Sequence, residues 1–275
     1  MAINICRVAA LQMTSGPNVA DNLNITATLL DDAAKRSAQI AVLPENFSIM
    51  PGNDRDRLAA AETEKGGPVQ SFLANYAKRL GMWIVAGSVP MKCSTVGKVR
   101  SACFVFDANG DIAVRYDKIH LFDVQLDNGE AYRESSYIEP GAEPVVIDTP
   151  AGRLGVTICY DVRFPEMYRK LTDLGAEWFA VPSAFTATTG HAHWEVLLRA
   201  RAVENLAYVV APAQVGLHAN GRRTYGDSMI ISPWGEVLSR LKRGSGVIAA
   251  DLDPGRVGQT RKTFPTISHR HFAVS

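Results

Sequence analysis

The chain has 275 residues, of which 47% are hydrophobic and 21% are charged, and its formal net charge is +1 at pH 7. This composition is ordinary for a globular protein with a sizeable core, and it excludes a largely disordered chain. The near-neutral charge argues against a general nucleic-acid-binding protein, which needs a basic excess to neutralise phosphates. The substrates or ligands are therefore expected to be small molecules.

No Pro/Gly/Ser-rich or charged linker divides the chain, so we expect a single domain covering residues 1–275. Residues 1–13 carry Arg7 inside an apolar run and lack a basic leading segment, which favours a first strand over a signal peptide. No apolar run is long enough to span a membrane. The sequence thus predicts a cytoplasmic protein that does not bind membranes.

The four cysteines predict neither a disulfide framework nor a metal site. They are widely scattered, and neither a Cys-x-x-Cys pair nor histidines at zinc-binding spacing accompany them. No metal and no other cofactor is expected. The four are Cys6, Cys93, Cys103 and Cys159.

The first elements in the chain have the pattern of a βαβ unit. A strand over 7–11 precedes a helix in which Leu23, Ala27, Leu30 and Ala34 recur at helical spacing, and a strand over 40–43 follows. A second helix over 69–80 ends at Gly81 and leads into a strand over 83–87. Strands over 102–106 and 112–116 flank Asn109-Gly110, a typical hairpin turn.

The second half of the chain continues with alternating elements. A helix over 165–174 follows Cys159, and a longer helix is predicted over 192–207. Because helices stand early and late with many strands between, we expect an α/β fold of two packed sheets covered by helices outside. The later strands are predicted at 178–181, 208–211, 228–231, 237–241 and 247–250.

Cys159 is the first candidate for chemistry. It ends the apolar run 155–158, and polar Tyr160, Asp161 and Arg163 follow directly. Free cysteine is usually a buried small hydrophobe, so a structural role is the alternative. The charge of Arg163 and the free amides at the start of the next helix favour a thiolate, which predicts a reactive cysteine.

Two charged residues stand at similar strand ends. Glu45 follows the apolar run 40–43, and Lys118 follows the strand over 112–116. Taken alone, Glu45 is more simply a solvated loop residue, and Lys118 a surface lysine paired with Asp117 or Asp123. The residues by themselves leave both interpretations open.

Three segments together resemble the catalytic segments of the nitrilase superfamily of carbon-nitrogen hydrolases. They contain Glu45, Lys118 and Cys159 in the order typical of that family, and the similarity extends through nearly the whole chain. The segments are Leu-Pro-Glu-Asn-Phe at 43–47, Tyr-Asp-Lys-Ile-His-Leu-Phe-Asp at 116–123 and Ile-Cys-Tyr-Asp-Val-Arg-Phe-Pro-Glu at 158–166.

The resemblance implies an α-β-β-α sandwich and an amidase that acts through a cysteine thioester. Cys159 would attack the amide carbonyl, Glu45 would act as general base and acid, and Lys118 would stabilise the oxyanion beside the Tyr160 amide. Glu134 matches a second glutamate of the family and would orient Lys118 and the water. Its alternative is a solvated loop acid.

Within the superfamily, the later segments resemble amidases of deaminated glutathione more than omega-amidases acting on 2-oxoglutaramate. The implied substrate is a small carboxylated amide, and the implied assembly is a homodimer. Arg163 would pair with a substrate carboxylate, although an ion pair with Glu166 is an alternative. The other implied substrate-binding residues are Tyr160, Phe185 and Thr186.

Other functions remain as alternatives. A papain-like hydrolase would use His191 or His193 as base, but nothing in the sequence orients them. A catalytically idle binding protein of the same fold is a third possibility. If the enzyme distinguishes amides by their leaving group, Arg222 and Arg223 are the candidates for binding a leaving-group carboxylate, and a solvated basic loop is the alternative.

Overall fold

A computed structural model of the chain describes residues 5–64, 66–126 and 129–272. The helices are α1 (Val19–Lys35), α2 (Asp54–Ala59), α3 (Pro68–Leu80), α4 (Pro165–Asp173), α5 (Ala187–Asn205) and α6 (Pro254–Thr263). Short 3₁₀ turns cover Glu134–Ser136 and Cys159–Arg163. Within the described ranges, no helix is both long enough and apolar enough to cross a bilayer.

The strands are β1 (Cys6–Gln12), β2 (Ile40–Val42), β3 (Trp83–Val85), β4 (Val89–Lys92), β5 (Val99–Phe106), β6 (Ile112–Asp117), β7 (Asp123–Gln125), β8 (Ala131–Arg133), β9 (Val145–Thr149), β10 (Gly152–Val156), β11 (Trp178–Ala180), β12 (Tyr208–Ala211), β13 (Val215–Leu217), β14 (Arg223–Tyr225), β15 (Ser228–Ile231), β16 (Val237–Leu241) and β17 (Gly246–Leu252).

Most of the described strands form two sheets. The first has the order β17-β1-β2-β3-β5-β4, with β6 added on β5, and the second has the order β16-β15-β12-β11-β10-β9. At the centre of the first, β1, β2 and β3 run parallel, and in the second β10, β11 and β12 do the same. Each parallel trio is connected through helices, as βαβ units require.

The alternation of side chains shows how the layers stack. Along β1, Val8 and Ala10 join the core cluster that contains the second sheet, whereas Ala9 and Leu11 pack in the cluster with α1 and α3. Because successive residues of a strand point to opposite faces, the first sheet lies between those helices and the second sheet. With α4 and α5 on the second sheet, the predicted α-β-β-α sandwich is confirmed.

The helix α1 buries a face adjacent to the predicted one. Leu23 and Ala27 are only half-buried, while Asn22 and Thr26 are buried. The Asn22 amide donates to the carbonyls of Gly16 and Ser48, at 2.8 and 2.9 Å. The prediction missed this because an apolar count does not recognise a buried polar side chain whose hydrogen bonds are satisfied by nearby loops.

The helix α5 begins five residues earlier than predicted. Thr186 caps it, because its hydroxyl accepts a hydrogen bond from the amide of Thr189 at 3.2 Å. Gly190 lies in the first turns, where a Cβ atom would be 2.4 Å from the side chain of Tyr225. Glycine here therefore permits close packing on β14 and does not end the helix.

Candidate active site

The loops after β2, β6 and β10 meet at one edge of the sandwich. They carry Glu45, Lys118 and Cys159, which line the same pocket of about 470 Å³ including its mouth. The carboxyl ends of parallel strands are where α/β folds usually bind ligands. Glu134, which follows β8, lines the pocket as well, so the structure brings together all four residues that the sequence indicated as catalytic.

Cys159 occupies a tight turn with an unusual backbone. Its φ angle is +47°, in the left-handed region, and its amide donates to the carbonyl of Pro182 at 2.8 Å. The Asp161 carboxylate accepts from the amide of Ile158 at 2.8 Å and closes the turn. The side chain of Cys159 is 8% exposed and reaches the pocket from a sharp bend, not from the end of a regular strand.

Lys118 lies between two carboxylates. Its Nζ is 2.7 Å from Oε1 of Glu45 and 2.9 Å from both carboxylate oxygens of Glu134. Glu45 is also held by the amide of Ala184 at 2.9 Å, and Glu134 by the amide of Phe122 at 2.7 Å. Lys118 is only 2% exposed and Glu45 4%, so their interpretations as surface residues are wrong. Glu134 is buried too, so it is not a solvated loop acid.

The pairing fixes the charges of these groups. Burial alone would raise the pKa of Glu45, but the charge and hydrogen bond of Lys118 lower it below its ordinary value. Burial alone would lower the pKa of Lys118, but Glu134 and Glu45 raise it well above the usual range. At neutral pH the cluster therefore contains ionised Glu45 and a protonated Lys118.

The expectation of a resting thiolate is not supported by the structure. Burial and the negative charge of Glu45 raise the pKa of Cys159, and the lowering effect of Lys118 is smaller. The charge of Arg163, on which that expectation rested, is not among the main effects on the thiol, and the charge of Lys118 is already neutralised by two carboxylates. Cys159 therefore keeps its proton at neutral pH, with Glu45 as a hydrogen-bonding partner.

Asp161 ties the cysteine turn to the lysine segment. It is fully buried and accepts from the hydroxyl of Tyr116 at 2.7 Å and from the amide of His120 at 3.1 Å. The Nδ1 of His120 lies 2.8 Å from the same carboxylate, and its ring stacks on Phe164. This network fixes the position of Cys159 relative to Lys118.

The four implied substrate-binding residues also line the pocket. The guanidinium of Arg163 lies 5.1 Å from the ring centre of Phe185 and 5.8 Å from that of Tyr160. Its Nη1 contacts Nδ1 of His193 at 3.2 Å, and among the described residues it forms no ion pair with Glu166. Thr186 is buried at the start of α5.

The histidines of the papain-like alternative lie elsewhere. His191 and His193 are exposed on α5 and are not among the side chains that line the pocket with Cys159. His191 lines a separate surface groove with Tyr225. Neither is placed to take the thiol proton, whereas Glu45 is.

Sequence reasoning missed several residues of the pocket. The β7–β8 hairpin contributes two aromatic rings, that of Phe122 just before β7 and that of Tyr132 in β8. Periodicity did not predict this hairpin because both strands are only three residues long. The α2 helix contributes a buried arginine. An aromatic residue or arginine in a short loop has no periodic signal, so only the fold reveals these contacts. The missed residues are Asn46, Arg57, Phe122, Tyr132, Tyr137 and Thr189.

The chain is similar to known proteins over nearly its whole length. The family model for carbon-nitrogen hydrolases matches residues 7–262. The chain is 43% identical over 267 residues to a deaminated glutathione amidase from Synechocystis sp., covering 96% of this chain and 97% of the relative. It is 39% identical over 268 residues to the deaminated glutathione amidase of Mus musculus, covering 96% and 82%.

A solved structure has the same fold. Saccharomyces cerevisiae Nit3, a member of branch 10 of the nitrilase superfamily, superposes with a TM-score of 0.87 at 30% identity, covering 98% of this chain and 97% of that one. The match extends over both sheets and the helices around them. The chain therefore belongs to the carbon-nitrogen hydrolase family, within the nitrilase superfamily.

Proposed function

We propose that this amidase hydrolyses deaminated glutathione, releasing 2-oxoglutarate and cysteinylglycine. The observation that carries the proposal is that Cys159, Glu45 and Lys118 share one pocket with Arg163, so a nucleophile lies beside a cation able to bind a carboxylate. The relatives named deaminated glutathione amidases cover nearly the whole chain and support the substrate.

The first half of the reaction forms a thioester. Glu45 accepts the thiol proton of Cys159 as the sulfur attacks the amide carbonyl carbon. The electron pair of the carbonyl moves to its oxygen, which Lys118 and the backbone amide of Tyr160 stabilise. The C–N bond then breaks, and Glu45 gives its proton to the departing amine. Cys159 is left carrying the 2-oxoglutaryl group.

The second half hydrolyses the thioester. Glu45 takes a proton from a water molecule as its oxygen attacks the same carbon, and the sulfur leaves as the C–S bond breaks, recovering that proton. Glu134 holds Lys118 in place through both of its carboxylate oxygens. We propose that it also orients the attacking water, which makes Glu134 part of the same catalytic unit.

The substrate is held by the pocket wall. Arg163 binds the carboxylate of the 2-oxo acid portion in this proposal, in the bidentate geometry that guanidinium groups favour. Phe185 and Tyr160 pack against the acyl chain, and Thr186 contributes a hydroxyl at the N-terminus of α5. Arg163→Lys keeps the positive charge but loses the two parallel N–H donors of the guanidinium group, so it is expected to raise KM more than it lowers kcat.

Steady-state kinetics test the function. The purified protein is incubated with deaminated glutathione or with 2-oxoglutaramate, and 2-oxoglutarate is measured with a coupled dehydrogenase, with Cys159→Ala as the inactive control. We expect turnover of both and a higher kcat/KM for deaminated glutathione. A higher value for 2-oxoglutaramate would favour the omega-amidase, and no turnover of either amide would contradict the proposed function and favour an idle binding protein.

We also propose a homodimer that forms through α5. Val196 and Val203 on this helix are 62% and 46% exposed, and the exposed rings of Trp234 and Phe264 lie with their centres 5.4 Å apart. Gly235, next to Trp234, packs against the side chain of Val203. Large exposed apolar side chains on one helix favour an interface. Light scattering should give twice the chain mass of 29.8 kDa. A monomer would refute the proposal.

Two variants test whether α5 forms the interface: Val196→Glu on α5, and Val96→Glu as its control. Val96 is 98% exposed in the loop before β5. Only the α5 variant should shift the mass toward that of one chain.

A cytoplasmic location is proposed on the state of the cysteines. All four lie in the described part of the chain and are free thiols, as a reducing compartment maintains them. Cell fractionation followed by blotting tests this, and recovery in an oxidising compartment would contradict it.

A further inference from the structure

Two arginines lie in the pocket apart from Arg163. Arg57 on α2 is buried and donates from Nη1 to Oδ1 of Asn46 at 3.1 Å. Arg222, between β13 and β14, is half-buried and donates from Nη2 to the carbonyl of Ala184 at 2.6 Å. Neither is in an ion pair among the described residues, and the Nε atom of each is buried without a hydrogen-bond partner there. Both guanidinium groups therefore keep a donor that no described protein group accepts from.

These two arginines line the same pocket and each lies over a tyrosine ring. The guanidinium of Arg57 lies 5.0 Å from the ring centre of Tyr137, and that of Arg222 lies 5.3 Å from the ring centre of Tyr132. Burial raises the pKa of Tyr137, and the charges of Arg57 and Arg222 both act against that rise. Two cations in one pocket without a paired carboxylate form a favourable place for an anion.

A row of aromatic rings connects Arg222 to Arg163. Phe122 stands in the middle, with ring centres 5.1 Å from Tyr160 on one side and 5.1 Å from Tyr132 on the other. Arg163 lies over Tyr160, and Arg222 lies over Tyr132. Arg163 and Arg222 therefore stand at opposite ends of this row of ring contacts.

The net charge of the pocket lining also favours a ligand with two carboxylates. The charged side chains that line it are two glutamates, one lysine and three arginines, so the cations exceed the anions by two. Glu45 and Glu134 are both engaged by Lys118, which leaves the arginines for a ligand. A substrate with two carboxylates neutralises this excess, whereas 2-oxoglutaramate has only one.

We propose, building on the proposed function, that Arg222 and Arg57 form a carboxylate subsite for the leaving amine. The preferred substrates are then amides whose departing amine is itself an acid, such as a short peptide with a free C-terminus. Arg223 does not belong to this subsite, because it is exposed in β14 and does not line the pocket. The sequence indicated Arg222 and Arg223 as candidates, and of these two only Arg222 lines the pocket.

The test compares two substrates that differ only in the distal charge: deaminated glutathione and the same molecule with its C-terminal carboxylate converted to an amide. The quantity measured is the ratio of their kcat/KM values. Wild type should favour the free acid, and Arg222→Gln should lower the ratio by about tenfold or more, because a charge-assisted contact is lost from one substrate only. Gln keeps a donor for the carbonyl of Ala184.

Arg223→Gln is the matched control and should leave the ratio unchanged. Arg57→Gln should lower it in the same direction as Arg222→Gln, and thermal melts establish that each variant is folded. A wild-type ratio near one, or a ratio unaffected by Arg222→Gln, would overturn the subsite while leaving the amidase function intact. Failure of wild type to hydrolyse either substrate would instead count against the proposed function itself.

Discussion

Lys118 and Glu45 form an ion pair of 2.7 Å that is almost fully withdrawn from solvent. Their two segments are 73 residues apart in the chain, and they meet only because β2 and β6 end at the same edge of the first sheet. A buried ion pair needs further hydrogen bonds to offset the loss of solvation. Glu134 and the amide of Ala184 supply them, so the chemistry and the stability of this edge depend on the same contacts.

Replacing Lys118 by Met should impair both catalysis and the stability of the fold. Loss of the oxyanion donor is expected to lower kcat by about 100- to 1000-fold. Removing one partner of a buried pair leaves the carboxylates uncompensated, at a cost of about 3 to 5 kcal/mol in the free energy of unfolding. Urea denaturation and steady-state kinetics measure the two effects. Lys92→Met, at an exposed position of β4, is the control and should change neither.

The stability effect of Lys118→Met should depend on pH. The folded pKa of Glu45 is lowered from its ordinary value of 4.5, so its pairing stabilises the fold above that pH and is lost as the pH falls through the folded pKa. The difference between wild type and variant should therefore be largest at neutral pH and shrink toward about pH 4. A difference that stays constant over this range would contradict the pairing.

The activity of wild type should be insensitive to pH near neutrality. Glu45 is ionised above its lowered pKa, Lys118 is protonated to well above 10.5, and the pKa of the Cys159 thiol is raised above 9.0. We expect kcat/KM to vary by less than about twofold between about pH 6 and 9, measured on an S-methylated substrate whose own thiol cannot titrate. A steady rise across this range would indicate that a thiolate forms by simple ionisation.

Glu134→Gln should lower kcat with little change in KM. The amide retains an acceptor for the Phe122 amide but loses the charge that faces Lys118. If Glu134 orients Lys118 and the water, a loss of about 100-fold in kcat is expected. Glu143→Gln, at an exposed site, is the control. Unchanged kcat in a folded Glu134→Gln variant would reduce the role of Glu134 to packing.

Much of the fold could be predicted because the patterns are local. The β17, β15 and β12 strands lie where apolar β-branched runs predicted them, and Asn109-Gly110 forms the expected hairpin turn, with the Asp107 amide donating to the Asp111 carbonyl at 2.9 Å. The catalytic residues were found through resemblance. Taken singly, Glu45 and Lys118 suggested surface residues, since burial and pairing are set by segments distant in the chain.

The electrostatics of the site could not be predicted in the same way. The sequence places Arg163 near Cys159 and so favoured a thiolate, but it does not reveal that Glu45 contacts the thiol or that Lys118 is already paired. The helix α2 is only six residues long and gave no signal, although it delivers Arg57 to the pocket. Such features depend on tertiary contacts, which local propensity does not encode.

Tyr116→Phe should loosen the turn that carries Cys159. The Tyr116 hydroxyl donates to the buried Asp161 carboxylate at 2.7 Å, and a hydrogen bond to a charged group contributes about 1.5 to 3 kcal/mol. The variant should lose about this much unfolding free energy, and kcat should fall several-fold as the turn becomes less well fixed. Tyr76→Phe on α3 serves as the comparison. Equal stability of the two variants would argue against the Asp161 network.

In the proposed mechanism, Cys159 carries the acyl group during turnover. Wild type is mixed with deaminated glutathione, quenched in acid within the first turnover and analysed by intact mass spectrometry and peptide mapping. We expect one adduct with the mass of a 2-oxoglutaryl group on the peptide that contains Cys159, and neither adduct nor turnover in Cys159→Ala. An adduct on Cys6, Cys93 or Cys103, or turnover that survives in Cys159→Ala, would contradict it.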